Sequence, residues 1–280
     1  NFNLQARIID ANNPNLVSKP YNLGSLTKVT ASNLSLIVTQ NGVVGDEVKV
    51  NAPATITIDL PNTVANGTTI YLTTNKGGRK IVTKNADGTD NIRYESRVES
   101  KAQGGKVIFD NMESISPGVA TLTVEYNGTK QLEKNITFIT DKVAKVLTQV
   151  INTTVSTNGE TKIIATVRDD KDAPVKNAIV DFTLLQDASS GKLSTGTAIT
   201  DEAGNAIISY FAGTTPTPVN GVKVQARVQY VKLNNQLLPI STTPTYQPQE
   251  VSFTVQNLSA WIGFAFADKV CYTVLVNRKG

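Results

Sequence analysis

The sequence predicts an all-β protein built from tandem antiparallel β-sandwiches. Three observations carry that prediction: apolar and polar residues alternate in short runs, strong turn formers separate the runs, and no helical spacing intervenes. The clearest block spans 162–211. In it Ile163, Ala165 and Val167 share one face, then Val180, Phe182 and Leu184, then Ile208 and Tyr210. A period of two sends one face to a core and the other to water. Between the runs lie Asp169-Asp170-Lys171-Asp172-Ala173-Pro174, Ser189-Ser190-Gly191 and Asp201-Glu202-Ala203-Gly204-Asn205. These are residues that bend a chain through side-chain hydrogen bonds or backbone freedom.

Composition bounds the function. The chain has 280 residues, 40% hydrophobic and 18% charged, enough apolar material for about two cored domains. It contains no histidine and a single cysteine, Cys271. Histidine-dependent catalytic triads, histidine-containing zinc sites and an internal disulfide are therefore excluded. A net charge of +4 with nearly balanced signs is no nucleic-acid footprint. The densest basic spot, Lys76-Gly77-Gly78-Arg79-Lys80 with Lys84 nearby, reads as a solvated hairpin tip. No apolar run approaches the ~20 residues of a membrane-spanning helix. No leader sequence opens the chain; if the protein is exported, this is a mature or excised piece.

Two stretches of the opening block carry a family resemblance. One is Thr166-Val167-Arg168-Asp169-Asp170-Lys171-Asp172-Ala173-Pro174-Val175, leading into Val180-Asp181-Phe182. The other is Thr200-Asp201-Glu202-Ala203-Gly204-Asn205-Ala206. Over roughly 143–256 the chain resembles the bacterial immunoglobulin-like group 1 domain, the stalk repeat of intimin- and invasin-type adhesins. The resemblance implies tandem immunoglobulin-like sandwiches, an extracellular scaffold and no active site.

Short matches at a shared offset suggest the domain plan. Leu4-Gln5-Ala6-Arg7-Ile8 resembles Val224-Gln225-Ala226-Arg227-Val228 about 220 positions on, twice the roughly 100–110 residues of such a domain. Asn33-Leu34-Ser35 recurs as Asn257-Leu258-Ser259, and Asp46-Glu47-Val48 as Asp268-Lys269-Val270. Residues 1–32 are then terminal strands of a preceding repeat or a lead-in. Residues 33–141 form a diverged immunoglobulin-like domain without the first acidic turn, and 142–256 the group 1 domain. Residues 257–280 open a further repeat or supply terminal assembly strands.

Within 33–141 the strand candidates are 48–50, 55–60, 69–73, 80–83, 91–98, 106–109, 120–126 and 136–140. Asp141-Lys142 follows the last of these without Gly or Pro, which suggests a stiff joint. In the second domain Val222, Val224, Ala226, Val228 and Tyr230 are expected to face inward. A long connection over 231–249 precedes the closing strand.

Two candidate sites stand out. Asp169, Asp170 and Asp172 could offer hard oxygen ligands to calcium, although an acidic turn is also ordinary hairpin chemistry. Trp261, Ile262, Phe264 and Phe266 share one face of a late strand, either as core of another sandwich or as a partner-binding strand. No catalytic or cofactor-binding residue is marked. The expected function is non-enzymatic: a bacterial cell-surface adhesin or stalk fragment, anchored to the outer membrane through regions outside this chain. Its partners would be a receptor on a host or neighbouring cell, or other copies of the protein. The alternatives are a filament subunit assembled by strand addition and a carbohydrate-binding accessory module.

Overall fold

The computed structural model describes residues 2–6, 18–19, 21–26, 34–241, 246–257, 260–265 and 271–276, with the terminal strand pairs described as backbone only. Every regular element among the described residues is a strand. The fold class is the expected one, all-β and built of antiparallel immunoglobulin-like sandwiches. At the start β1 (Phe2–Ala6) pairs antiparallel with β2 (Tyr21–Leu26).

The first sandwich contains β3 (Ser35–Gln40), β4 (Val43–Val44), β5 (Glu47–Lys49), β6 (Ala54–Asp59), β7 (Thr69–Thr74), β8 (Gly78–Lys84), β9 (Asp90–Glu95), β10 (Arg97–Lys101), β11 (Lys106–Glu113), β12 (Gly118–Tyr126) and β13 (Thr129–Ile139). One sheet runs β4-β3-β6-β11-β8-β9, the other β10-β7-β12-β13-β5. The second sandwich contains β14 (Lys145–Val150), β15 (Thr154–Ser156), β16 (Glu160–Arg168), β17 (Ala178–Asp187), β18 (Lys192–Leu193), β19 (Thr197–Ile199), β20 (Asn205–Phe211), β21 (Val222–Leu233), β22 (Gln236–Pro239) and β23 (Gln249–Gln256). Its sheets run β14-β16-β20-β18 and β15-β23-β21-β17-β19, with β22 added to β21. Last come β24 (Ala260–Ala265) and β25 (Cys271–Val276), paired antiparallel.

Both sandwiches split their opening stretch between two sheets. β3 pairs antiparallel with β6, and β5 then crosses to lie parallel to β13. In the second sandwich β14 pairs antiparallel with β16, and β15 lies parallel to β23. Val48 and Val155 anchor the two short parallel strands, each buried. Each sandwich has its own core. Ile56, Ile58, Leu72, Phe109 and Leu122 lie in one, Ile163, Val180, Tyr210, Val224 and Phe253 in the other. The Tyr210 and Phe253 rings meet edge to face at 4.9 Å.

The structure corrects two of the strand readings and adds a strand that the sequence reading had not named. The run 91–98 is not one strand: β9 pairs with β8 in one sheet and β10 with β7 in the other. The chain changes sheets at Ser96, whose carbonyl accepts the Thr74 N–H at 2.8 Å. Gly78 makes room for the crossing, because a Cβ there would overlap the Glu95 carbonyl. Tyr230 does not face inward. The register slips between Ile179 and Val180, pairing Val228 with Val180 but Tyr230 with Ile179. The extra residue turns Tyr230 outward and puts Val231 in the core. The strand β3 was not anticipated, although Leu36 and Val38 alternate with exposed or half-exposed neighbours.

Three aspartates close turns of the second sandwich with one device. Asp169 Oδ1 accepts the N–H groups of Lys171 and Ala173, at 2.9 and 2.8 Å. Asp201 Oδ1 accepts those of Ala203 and Asn205, both at 2.9 Å. Asp187 uses both oxygens, for Ser189 at 2.7 Å and Gly191 at 2.8 Å. In each case the acceptor lies two and four residues upstream of its donors, so backbone groups that no strand pairs are satisfied locally. Asp187 also receives the Tyr210 hydroxyl at 2.7 Å, and Ser189 Oγ lies 2.9 Å from that hydroxyl.

Burial holds the Tyr210 hydroxyl well above the usual tyrosine range. Its proton is bound more tightly in the folded than in the unfolded chain. The resulting stabilisation is full below the unfolded value of about 10 and is lost as pH rises beyond it. Tyr210→Phe should cost about 1–2 kcal/mol at neutral pH and flatten the alkaline decline. Urea unfolding at pH 7, 9.5 and 11 checks this. Tyr246, shifted the same way by burial, keeps some slope in the variant.

Candidate functional site: the joint between the two sandwiches

The most extensive polar contact between the two sandwiches lies at their joint. It begins with a two-residue turn. Asn234 and Asn235 connect β21 to β22 with φ angles of 45° and 67°. Two consecutive positive φ values suit a tight hairpin, and asparagine tolerates them. The turn projects from the second sandwich onto β5 of the first.

There Asn234 acts as a strand. Its Oδ1 accepts the Glu47 N–H at 3.1 Å, and its Nδ2 donates to the Glu47 carbonyl at 2.7 Å. The Glu47 carboxylate answers. One oxygen accepts the Asn234 N–H at 2.7 Å, the other the Asn177 Nδ2 at 2.6 Å. Four hydrogen bonds thus join one residue of the first sandwich to two of the second. Two of them involve a charge, the stronger kind. Gly45 is part of the fit, since a Cβ there would overlap the Asn234 amide.

The covalent connection is equally occupied. Lys49 Nζ pairs with Asp141 at 2.7 Å. Ser241 N donates to the Asp141 carbonyl at 2.9 Å, and Val143 N donates to Ser241 O at 3.2 Å. Ile139 ends β13 yet packs in the core of the second sandwich with Val143. The joint therefore contains no free linker. A cleft of about 150 Å³ beside it is lined by Gln40, Lys49, Asn234 and Gln236 among others, with no carboxylate among its lining side chains. A shallower depression of about 340 Å³ at Ile151–Lys162 contains Glu160 as its single acid.

The sequence-marked sites fall elsewhere. Asp169 is nearly buried and spends its carboxylate on its own turn. Asp172 pairs with Lys145 at 2.6 Å, which holds its carboxyl below the usual range. Asp170 faces Lys142 at 3.9 Å. Among the described residues, no group of three or more His, Cys, Asp or Glu is placed to hold a metal ion. Trp261, Ile262 and Phe264 lie on β24, but their side chains, and Phe266 altogether, are outside the described residues, as is the Cys271 side chain. The basic spot is not a hairpin tip. Lys76 Nζ donates to the Pro117 carbonyl at 3.0 Å, and Lys80 pairs with the buried Glu113 at 3.2 Å.

Sequence reasoning missed Glu47, Asn177 and Asn234. The Asn-Asn pair between Val231-Lys232-Leu233 and Gln236-Leu237-Leu238 was a legible hairpin signal inside the long connection. Nothing marked Glu47 as its acceptor. Another finding in that connection is Tyr246, whose hydroxyl bonds both the N–H and the carbonyl of Val228. That position lies between the ends of β23 and β22 along β21, where no strand supplies a ladder.

No family model and no curated protein matches the chain. Solved structures do. InvD of Yersinia pseudotuberculosis is 14% identical with a TM-score of 0.49, covering 86% of this chain and 62% of that one. The Escherichia coli adhesin FdeC is 14% identical with a TM-score of 0.37, covering 81% of this chain and 65% of that one. A glycosyl hydrolase family 2 member from Bacteroides cellulosilyticus is 10% identical with a TM-score of 0.31, covering 81% of this chain and 29% of that one. The chain spans less than two thirds of the length of the InvD and FdeC chains it matches.

Two outcomes follow from the joint. Glu47→Ala and Asn234→Ala should each lower the calorimetric unfolding temperature. The double variant should lose less than their sum, with a coupling of about 1–2 kcal/mol. Calcium and EDTA should leave the unfolding temperature of the unaltered chain unchanged, because the Asp169 turn is closed by its own backbone and two lysines.

Proposed function

We propose that this chain is a non-enzymatic piece of a bacterial surface adhesin, in which the two sandwiches form a stiff spacer that carries a binding tip away from the cell. The observation that supports the reading most is the joint. Four hydrogen bonds, an ion pair and a shared core residue oppose bending between the sandwiches. A spacer needs that resistance. On this reading the protein is extracellular, held at the outer membrane by regions outside this chain. Its partner is a receptor on a host or neighbouring cell. The acidic turn at Asp169, Asp170 and Asp172 is structural rather than a calcium site.

A carbohydrate-binding accessory role fits less well. Among the described residues, the large exposed aromatic side chains are Phe211 and Tyr230, on different sheets. They form no common platform for a sugar ring.

Replacing 34–256 in the surface-displayed protein tests the spacer reading. Deletion should reduce attachment to target cells, and insertion of two unrelated sandwiches of equal length should restore it. If the unrelated pair fails to restore attachment while display is normal, the adhesive face lies on these sandwiches. If deletion leaves attachment unchanged, neither role holds.

A further inference from the structure

The β8–β9 ribbon extends well beyond its contact with the rest of its sheet. β8 joins its sheet through Arg79 and Gly78, which pair with Met112 and Glu113 of β11, and then leaves it. Beyond that point residues 82–93 are exposed on both faces. A lone two-stranded ribbon is marginal in water, yet this one has a firm base. The carboxylate of Glu113 is buried, with Lys80 Nζ at 3.2 Å and the Tyr94 hydroxyl at 3.5 Å on the same oxygen.

The ribbon also presents an open edge. β9 ends its sheet, and β8 is its one partner among the described residues. The Asn85 N–H donates to the Thr89 carbonyl at 2.9 Å, which fixes the hydrogen-bonding phase of the hairpin. Alternation from that pair turns the backbone groups of Asn91 and Arg93 toward β8 and those of Asp90, Ile92 and Tyr94 outward. Edge strands are commonly shielded by charged side chains or proline. β9 has no proline, and its charges sit in exposed pairs, Lys84 with Asp90 and Arg93 with Glu95. Val82 and Ile92 face each other across the ribbon and are 50% and 48% exposed.

We propose that β9 is a self-association edge, pairing antiparallel with β9 of a second copy about a twofold axis at Ile92. The argument for a second copy is the strand's self-complementarity. In that register Ile92 meets Ile92, Asp90 meets Tyr94 and Asn91 meets Arg93, so no like charges lie directly opposite. Val82 and Ile92 of the two copies then form one apolar row across four strands. Two paired five-residue segments, 90–94 of each copy, bury far less than the roughly 1,200–2,000 Å² of a stable interface. The contact is therefore weak in dilute solution and effective between copies crowded on one surface. It concerns β9 alone and holds whether or not the sandwiches serve as a spacer.

The test is site-directed disulfide trapping in the Cys271→Ser chain at high protein concentration. Ile92→Cys should give a disulfide-linked dimer at least tenfold faster than Val82→Cys, on the same face but one strand further in, or Val219→Cys, 83% exposed elsewhere. Ile92→Pro in the otherwise unaltered chain is the second arm. It removes an outward N–H while leaving the bonds to β8, so the fold should persist by circular dichroism. The concentration-dependent sedimentation of the unaltered chain should disappear in that variant. Equal trapping at all three positions would overturn the proposal. So would strictly monomeric sedimentation at the highest attainable concentration, or self-association unchanged by Ile92→Pro.

Discussion

Glu47 meets Asn234 at the one place where the two sandwiches could bend. The carboxylate of Glu47 and the amide of Asn234 each satisfy backbone groups of the other, and the Asn177 side chain donates to the remaining oxygen. Neither residue could do this alone. The turn holding Asn234 must project past its own sheet, which the β21–β22 extension achieves. The receiving strand β5 must lie at the end of its sheet, which the crossing from β3 to β5 achieves. Gly45 must lack a side chain. Three features that look incidental in separate parts of the chain thus serve one contact.

The joint also shows why the chain passes from one core to the next without a linker. Ile139 is the last residue of a strand in the first sandwich and a core residue of the second. With Lys49 held to Asp141 and Ser241 bonded on both sides of Lys142, bending would break several interactions together. The second sandwich does not repeat the same receiver. Thr154 occupies on β15 the place that Glu47 holds on β5, since each opens the short strand parallel to the last strand of its sandwich. The second sandwich therefore lacks the carboxylate at the position corresponding to Glu47.

Much of the fold was legible because burial and alternation coincide. Ile163, Ala165 and Val167, and Val180 and Phe182, are buried as their spacing implied. The failures have physical causes. A single inserted residue near Val228 reversed the facing of Tyr230, and a bulge of this kind leaves no compositional mark. The run 91–98 alternates except at Ser96, where Glu95, Ser96 and Arg97 are polar in succession; one polar residue is a faint mark of a change of sheet, and Gly78, distant in sequence, makes the crossing possible. The joint was legible on one side only. Asn-Asn announces a hairpin, whereas a glutamate in a short polar strand announces nothing. The acidic turn was visible but admitted two chemistries. Its geometry shows the carboxylate of Asp169 turned onto backbone N–H groups.

The central claim is that the two sandwiches move as one body. Pulsed electron paramagnetic resonance between spin labels at Glu99→Cys and Thr183→Cys, in a Cys271→Ser background, measures this directly. One label lies on β10 of the first sandwich and the other on β17 of the second, and both sites are exposed. The account predicts a single narrow distance distribution that broadens when Glu47 is replaced by Ala. A broad distribution in the chain with Glu47 in place would contradict it.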